Sequence, residues 1–412
     1  MKLFKSITIL AGILGFGLLV QAQPVAPNQV LTPVIADLHL LNQMKVQIQM
    51  KDTQMNLGVA FLDQQAQDKL GVLGHRYGKC GGFEALSKRT LGDPRNMSRI
   101  FEDLRNHLSQ DFGYTRAPFK AVGLPKRPEI EKAIALAEEK NIMNLVAWLS
   151  NFPNRYNRAP NPNEHVVQLK AQLEKMMQAF HREGSVVLVD HQSTKQKSIR
   201  LRLLGASRPE EIIVLGGHLD SINLSGDNRA PGSDDNASGS SNIIEALRVL
   251  LAQPRLARTV DFFWYAGEES GLLGSAEIAK QYKDAKLNVI GVLQLDMTLF
   301  PGDGELVIGS MTDYTSAWMR EILGEINKNY IGAKIIDDRC GYGCSDHASW
   351  YRQGFPTLMP FESTMSKMNR NIHTARDIVT PSMSWKHSIA YTKIAIALAM
   401  ELGNNPSLRQ PY

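Results

Sequence analysis

At 412 residues the chain is long enough to bury one large core and to carry something beside it. Its composition, 43% hydrophobic and 21% charged, is that of a globular protein and argues against disorder. The formal net charge of +5 is small for this length, and no basic stripe interleaved with aromatics offers a footing for nucleic acid.

The opening "MKLFKSITILAGILGFGLLVQA" sets a basic start (Lys2, Lys5) before an apolar stretch from Ile7 to Val20 and a small-residue end at Ala22. That order predicts a secretory signal peptide over residues 1–22, and hence a secreted protein, extracellular or periplasmic. The apolar stretch falls short of the ~20 residues a spanning helix needs, so no stable membrane span is expected after cleavage. Export puts the three cysteines in an oxidising compartment, where Cys340 and Cys344 can close a short disulfide loop. A metal site on the same two thiols is the competing reading, and no second cysteine pair supports it. Cys80 is left over, as it would be in a part of the chain that is discarded or protected.

Residues 23–124 mix strand-like pieces ("KVQIQMKD", "LGVAFLD") with polar, turn-rich stretches and show no α/β rhythm. "GYTRAPFKAVGLPKRP" then reads as an exposed linker. Beyond it, "RPEIEKAIALAEEKNIMNLVAWLSNF" and "NEHVVQLKAQLEKMMQAFHREG" have helical periodicity. Strand candidates "SVVLVD", "SIRLRLLG", "EIIVLGGHLDS", "TVDFFWYA", "VIGVLQLDM" and "FPTLMPF" follow. They alternate with helix candidates "SNIIEALRVLLA", "SAEIAKQYKDA", "DYTSAWMREILGEINKNY" and "HSIAYTKIAIALAMELG". The first two strands sit together like a hairpin. The expectation for residues 125–412 is therefore a three-layer α/β/α domain on a mixed, mostly parallel sheet.

In such sheets ligands bind outside the carboxyl ends of the strands. Those ends carry a consistent set of polar residues. "IIVLGGHLDS" ends in His218 and Asp220, and "APGSDDNASG" places Asp234 and Asp235 before a helix. "FFWYAGEE" ends in Glu268 and Glu269, "VLQLDM" in Asp296, and "NIHTARD" offers His373. Each has a bland reading as a helix cap or a solvated turn, but an acid behind a buried strand, such as Asp296, needs a partner. The donors are all nitrogen and oxygen, which suits zinc, or cobalt or manganese in its place, in a catalytic site. The count exceeds what one open zinc requires, and two metals sharing a carboxylate fit it better. Adjacent glutamates at a strand end can then supply one ligand and one base.

These residues resemble the secreted di-zinc aminopeptidases of the bacterial leucyl aminopeptidase type, whose fold is shared with glutamate carboxypeptidases and the transferrin-receptor ectodomain. The resemblance rests on "GGHLDS", "APGSDDNASG", "YAGEESGLLGS", "LQLDMT", "CGYGCSDHASW", "MPFES" and "IHTARD", and covers roughly residues 140 to 405. It implies two zinc ions, with Asp235 bridging them, His218 and Asp296 on one, and Glu269 and His373 on the other. It makes Glu268 the general base on a water between the zincs, Asp220 the residue that orients His218, and Tyr342 the stabiliser of the oxyanion. A pocket for the substrate's first side chain would draw on Met297, Met359, Phe361, Met365, Met368 and Ile372. Where the family has a third aspartate, this chain has Asn236.

The stretch with "HRYGKCGGF" resembles the family's removable prosegment, so residues 23–124 are expected to be inhibitory or chaperone-like and to be trimmed by another protease. The resemblance implies a monomeric aminopeptidase acting on peptide or protein N-termini, large apolar ones of the leucine type first. A glutaminyl cyclase on the same fold shares much of the residue set, but "CGYGCSDHASW" favours the peptidase. A receptor-like scaffold would be expected to have lost ligands or the base, and none is missing.

Overall fold

The computed structural model describes residues 30–79, 81–86, 98, 101–102, 123–225 and 228–408. The signal peptide, Cys80 and most of the linker lie outside the described residues.

The N-terminal unit is built on strands β1 (Thr32–Asp37), β2 (Ile48–Asp52), β3 (Leu57–Leu62) and β4 (Phe83–Ala85). They pair antiparallel in the order β2-β3-β1-β4. Two helices cover one face, α1 (Leu38–Gln43) and α2 (Gln64–Arg76), each capped by an aspartate, Asp37 and Asp63. Val34, Ala36, Leu40, Leu41, Ala60, Leu62 and Leu70 fill the space beneath them. The other face puts Ile35, Leu57 and Val59 against Leu272, Tyr314, Ala348 and Tyr351 of the larger domain. Neither helix of this unit is among the expected elements. Helix α2 buries Gln67, Leu70, Gly71 and Gly74, a face with a single aliphatic side chain, so hydrophobic periodicity does not announce it.

The larger domain opens with helices α3 (Pro128–Ile134), α4 (Glu139–Ser150) and α5 (Glu164–Ala179). The helical stretch expected as one piece is broken into α3 and α4 by a turn at residues 135–138. Strands β5 (Gly184–Val189), β6 (Ser198–Leu203), β7 (Arg208–His218), β8 (Arg258–Tyr265) and β9 (Asn288–Gln294) belong to the central sheet. Between them lie α6 (Gly239–Leu251), after β7, and α7 (Leu273–Asp284), after β8. Next come β10 (Val307–Met311), α8 (Ala317–Ile326), β11 (Lys334–Asp338), α9 (His347–Arg352), β12 (Thr357–Leu358), β13 (Pro360–Phe361) and α10 (Trp385–Asn404).

The sheet order is β12-β9-β7-β8-β6-β5, with β12, β9, β7 and β8 mutually parallel and the hairpin β5–β6 antiparallel. This is the expected mixed, mostly parallel sheet. Its strands β7, β8 and β9 carry runs buried on both faces, and alternate residues serve opposite layers. Ile213, Leu215, Phe262 and Trp264 join α3, α4, α5, α6, α8 and α10 in one layer. Ile212, Val214, Phe263 and Tyr265 meet Ile278 and Tyr282 of α7 and Trp350 of α9 in the other. The stretch expected as one strand near residue 358 divides between two sheets, since β13 pairs with β10 in a second sheet of order β11-β10-β13. Strands β7, β8 and β9 all end on the same edge, where the expected ligands stand.

Candidate metal centre

His218 closes β7, Glu268 and Glu269 follow β8 in a short helical turn, and Asp296 follows β9. Asp235 comes from the loop that leads into α6, and His373 from the loop between β13 and α10. The loop at Asp235 turns at Gly232, whose φ of 51° is in the left-handed region. A Cβ there would stand 2.5 Å from that of Ser221, so only glycine fits.

The structure brings the five expected ligands together. Nε2 of His218 lies 3.1 Å from Oδ1 of Asp235 and 3.3 Å from Oδ1 of Asp296. Nε2 of His373 lies 3.1 Å from Oδ2 of Asp235 and 3.0 Å from Oε2 of Glu269. The result is two groups of three, His218–Asp235–Asp296 and Asp235–Glu269–His373, joined through the two oxygens of Asp235. All five side chains are buried. Nε2 of His218, Oδ1 of Asp296 and both carboxylate oxygens of Glu269 nonetheless lack hydrogen bonds of proper geometry. Converging, buried lone pairs of this kind are costly unless a cation sits among them, so the residues present fit a divalent metal.

The charges agree. Burial pushes Glu268 well above the usual carboxylate range; Glu269, Asp346 and Asp296 add to this, and His218 opposes it. Burial likewise lifts Glu269 to about 7, against the pull of His373. Burial would also lift Asp235, but His218 and His373 overcome it and hold that carboxyl far below its ordinary value. For both histidines burial opposes charge, yet the neighbouring carboxylates raise them well above the imidazole range. The cluster therefore favours positive charge at its centre, which a divalent metal would supply.

A further layer fixes the ligands. The Asp220 carboxylate accepts the backbone N–H groups of Glu268 at 3.0 Å and Glu269 at 3.2 Å. It stands 3.6 Å from Nδ1 of His218, whose nearest partner is the Asp220 carbonyl at 3.1 Å. Ser345 donates to Oδ2 of Asp296 at 2.6 Å. Asp377 accepts the backbone N–H groups of Asp234 and Asp235. Arg155, fully buried, donates to the carbonyls of Leu149, Leu219, Pro231 and Gly232 and so ties α4 to the ligand loops. Burial draws its guanidinium down to about 10.

Cys340 and Cys344 are joined as a disulfide. Tyr342 inside that loop shares one apolar cluster with Met297, Met359, Phe361, Met368 and Ile372, and Met365 packs at its edge. The N-terminal unit lies over the centre. Gln67, Gly71, Gly81 and Phe83 close on Glu269, Ser270 and His373 around a space of about 10 Å³. The ring of His75 is 5.5 Å from that of His373, and Lys79 sits 5.0 Å above the Tyr342 ring. A cavity of about 540 Å³ lies between Met44, Lys69, Arg76 and Ile222, and no expected ligand lines it.

The profile of "Peptidase family M28" matches residues 199–399, which hold all five expected ligands. A probable leucine aminopeptidase of Arthroderma benhamiae is 34% identical over 320 residues, covering 75% of this chain and 83% of that protein. The chain belongs to peptidase family M28. Leucine aminopeptidase 1 of Arthroderma otae is 36% identical to this M28 peptidase over 73% of the chain and 85% of its own length. Among solved structures, the Legionella pneumophila aminopeptidase LapA superposes with a TM-score of 0.81 at 26% identity, covering 92% of this chain and all of that one. The M28 peptidase is thus a hydrolase of peptide bonds.

Several residues that shape the centre lie outside the expected set: Arg155, Ser345, Asp346 and Asp377, along with Gln67 and Gly71 of the N-terminal unit. Ser345 and Asp346 lie within "CGYGCSDHASW" and Asp377 within "IHTARD", motifs in which other members carry the expected roles. Arg155 gave no signal, because all its partners are main-chain carbonyls brought together only by the fold.

Proposed function

We propose that this M28 peptidase is a secreted di-zinc aminopeptidase that removes N-terminal residues, large apolar ones of the leucine type first. The observation that carries this reading is the pair of ligand groups joined through the two oxygens of Asp235. His218 and Asp296 would hold one zinc, Glu269 and His373 the other, and Asp235 both. When bound, the metals supply Lewis-acid polarisation of the scissile carbonyl and make water at the site more acidic.

The chain's own residues do the rest. Glu268, raised by burial and fixed through its backbone by Asp220, takes a proton from the attacking water and passes it to the leaving amine. Tyr342 stabilises the charge that develops on the carbonyl oxygen. The pliable lining of Met297, Met359, Phe361, Met365, Met368 and Ile372 accepts an apolar side chain. A charged one there costs several kcal/mol by order of magnitude.

The N-terminal unit is proposed to be a prosegment that covers the site until a protease cuts in the Pro/Gly-rich stretch at residues 113–128. The near-absence of free space beside Glu269 and His373 supports that reading. Export is supported by the leader-like residues 1–22, and among the described residues no helix is long and apolar enough to cross a membrane.

Metal analysis together with hydrolysis of Leu-, Arg- and N-acetyl-Leu-anilides by the processed protein tests the proposal. Two zinc ions per chain and fast cleavage of the Leu-anilide alone are expected. Efficient cleavage of the N-acetylated compound would overturn it.

A further inference from the structure

Strand β4 crosses the site in an extended conformation. Its approach, Gly81 and Phe83, borders Glu269, Ser270 and His373. Its end, Ala85, donates its N–H to the carbonyl of Gly271 at 3.0 Å, two residues beyond Glu269. The strand therefore runs, N-terminus to C-terminus, from the ligands outward. A peptide with its N-terminus at the metals runs in the same direction. Gly271 has a φ of 98°, and a Cβ on it would stand 2.5 Å from the Ala85 nitrogen, so its missing side chain is what admits a strand here.

Between these points the Glu84 carboxylate occupies a built seat. Both of its oxygens meet the Arg352 guanidinium at the end of α9, with the Nη2–Oε1 contact at 2.5 Å. Burial raises the Glu84 carboxyl, and Arg352 and the backbone N–H of Gly343, next to Tyr342, pull it back down. A Cβ at Gly343 would overlap Oε1 of Glu84, so the seat requires glycine. The ring of Tyr314 lies 5.4 Å from the guanidinium and backs it. A guanidinium fork with a main-chain N–H beside it is a carboxylate receptor. Every donor belongs to the larger domain, and the carboxylate belongs to the unit that covers it.

We infer that Arg352 and the Gly343 N–H form a carboxylate-binding subsite on the leaving-group side of the scissile bond. Glu84 fills it in the precursor, and an acidic side chain or a C-terminal carboxylate of the substrate fills it after processing. The inference rests on the aminopeptidase and prosegment readings above. It adds a preference downstream of the bond, separate from the apolar preference at the first residue.

The test uses the full-length chain, folded with zinc and then cut by a protease within residues 113–128. Leu-anilide reports the aminopeptidase reading. Three pairs report the subsite: Leu-Glu-Ala-amide with Leu-Gln-Ala-amide, Leu-Ala-Glu-amide with Leu-Ala-Gln-amide, and Leu-Ala with Leu-Ala-amide. The carboxylate member of at least one pair should have a kcat/KM about ten-fold higher, as expected of a charge-assisted fork. Discrimination in the first two pairs means an acidic side chain, and in the third a C-terminal carboxylate. Rising salt should shrink the ratio in the wild-type protein, a reading that needs no variant. Arg352→Gln should bring it near one, with Arg352→Lys in between. Cleavage of Leu-anilide with a ratio of one in all three pairs overturns the subsite, as does a ratio that survives Arg352→Gln. No cleavage of Leu-anilide overturns the aminopeptidase reading and this inference with it.

Discussion

The backbone N–H of Glu268 donates to Oδ1 of Asp220 at 3.0 Å, so the proposed base is positioned by a carboxylate two residues beyond His218, a proposed ligand. Asp220→Asn replaces one of two acceptors by a donor and sets it against the N–H of Glu268 or Glu269. The expected result is a loss of about 10- to 100-fold in kcat. Zinc content should stay close to that of the wild type, which atomic absorption on the same samples checks.

Glu268 and Glu269 should fail differently when changed to glutamine. Glu268→Gln removes a proton acceptor and should cost about 10²- to 10⁴-fold in kcat with both metals retained. Glu269→Gln removes a charged ligand and should lower metal occupancy first. Equal zinc content and comparable residual activity in the two variants would undo the assignment.

The full-length precursor should be less active than the processed protein. If the chain is exported and processed as proposed, N-terminal sequencing of the protein recovered outside the cytoplasm should find a mature form beginning between about residues 115 and 130. An intact start at Gln23 with full activity would show that the N-terminal unit does not inhibit.

Acid should destabilise the fold through His165, which is not one of the expected ligands. Burial, reinforced by the charge of Arg155, lowers this histidine to about 3 from its ordinary 6.5. The folded state thus binds fewer protons than the unfolded state between these values. Its contribution is complete above pH 6.5 and is lost as pH falls toward 3. The acceptor next to Gln196 is kept in His165→Gln, which should therefore show a flatter Tm between pH 7 and pH 4. Calorimetry across that range checks it.

Reduction of Cys340–Cys344 should slow catalysis more than it unfolds the domain. Cysteines only 4 residues apart close a small loop, worth about 2 kcal/mol in chain entropy. The same loop holds Tyr342 against the methionine cluster. Mild reductant should lower Tm by only a few degrees and kcat by about ten-fold, since removing one oxyanion donor outright costs about 10²- to 10³-fold.

What was legible in the sequence was what lies close together along the chain. Strands β7, β8 and β9 each contain a short apolar run (Ile212–Leu215, Phe262–Tyr265 and Val289–Leu293), and an expected ligand follows each run within a few residues. Strand β1 was not legible, because Pro33 argues against a central strand. The proline is tolerated because β4 pairs only with residues 34–36 of β1. Strand β11 was missed because its five residues, Lys334–Asp338, are mixed in polarity and half exposed. The seat of Glu84 joins residues 268 positions apart, a distance at which no local pattern operates.

Arg155 holds four carbonyls from three stretches of chain, none of them belonging to a metal ligand. The loop that carries Asp235 is therefore anchored by the polypeptide itself. Stripping the metal with a chelator should then leave an empty but correctly shaped cage, with far-ultraviolet dichroism unchanged. Such a cage can be refilled with cobalt, whose visible spectrum would count the two positions one at a time. Arg155→Met, by contrast, should allow the loop to relax once emptied, making loss of metal hard to reverse.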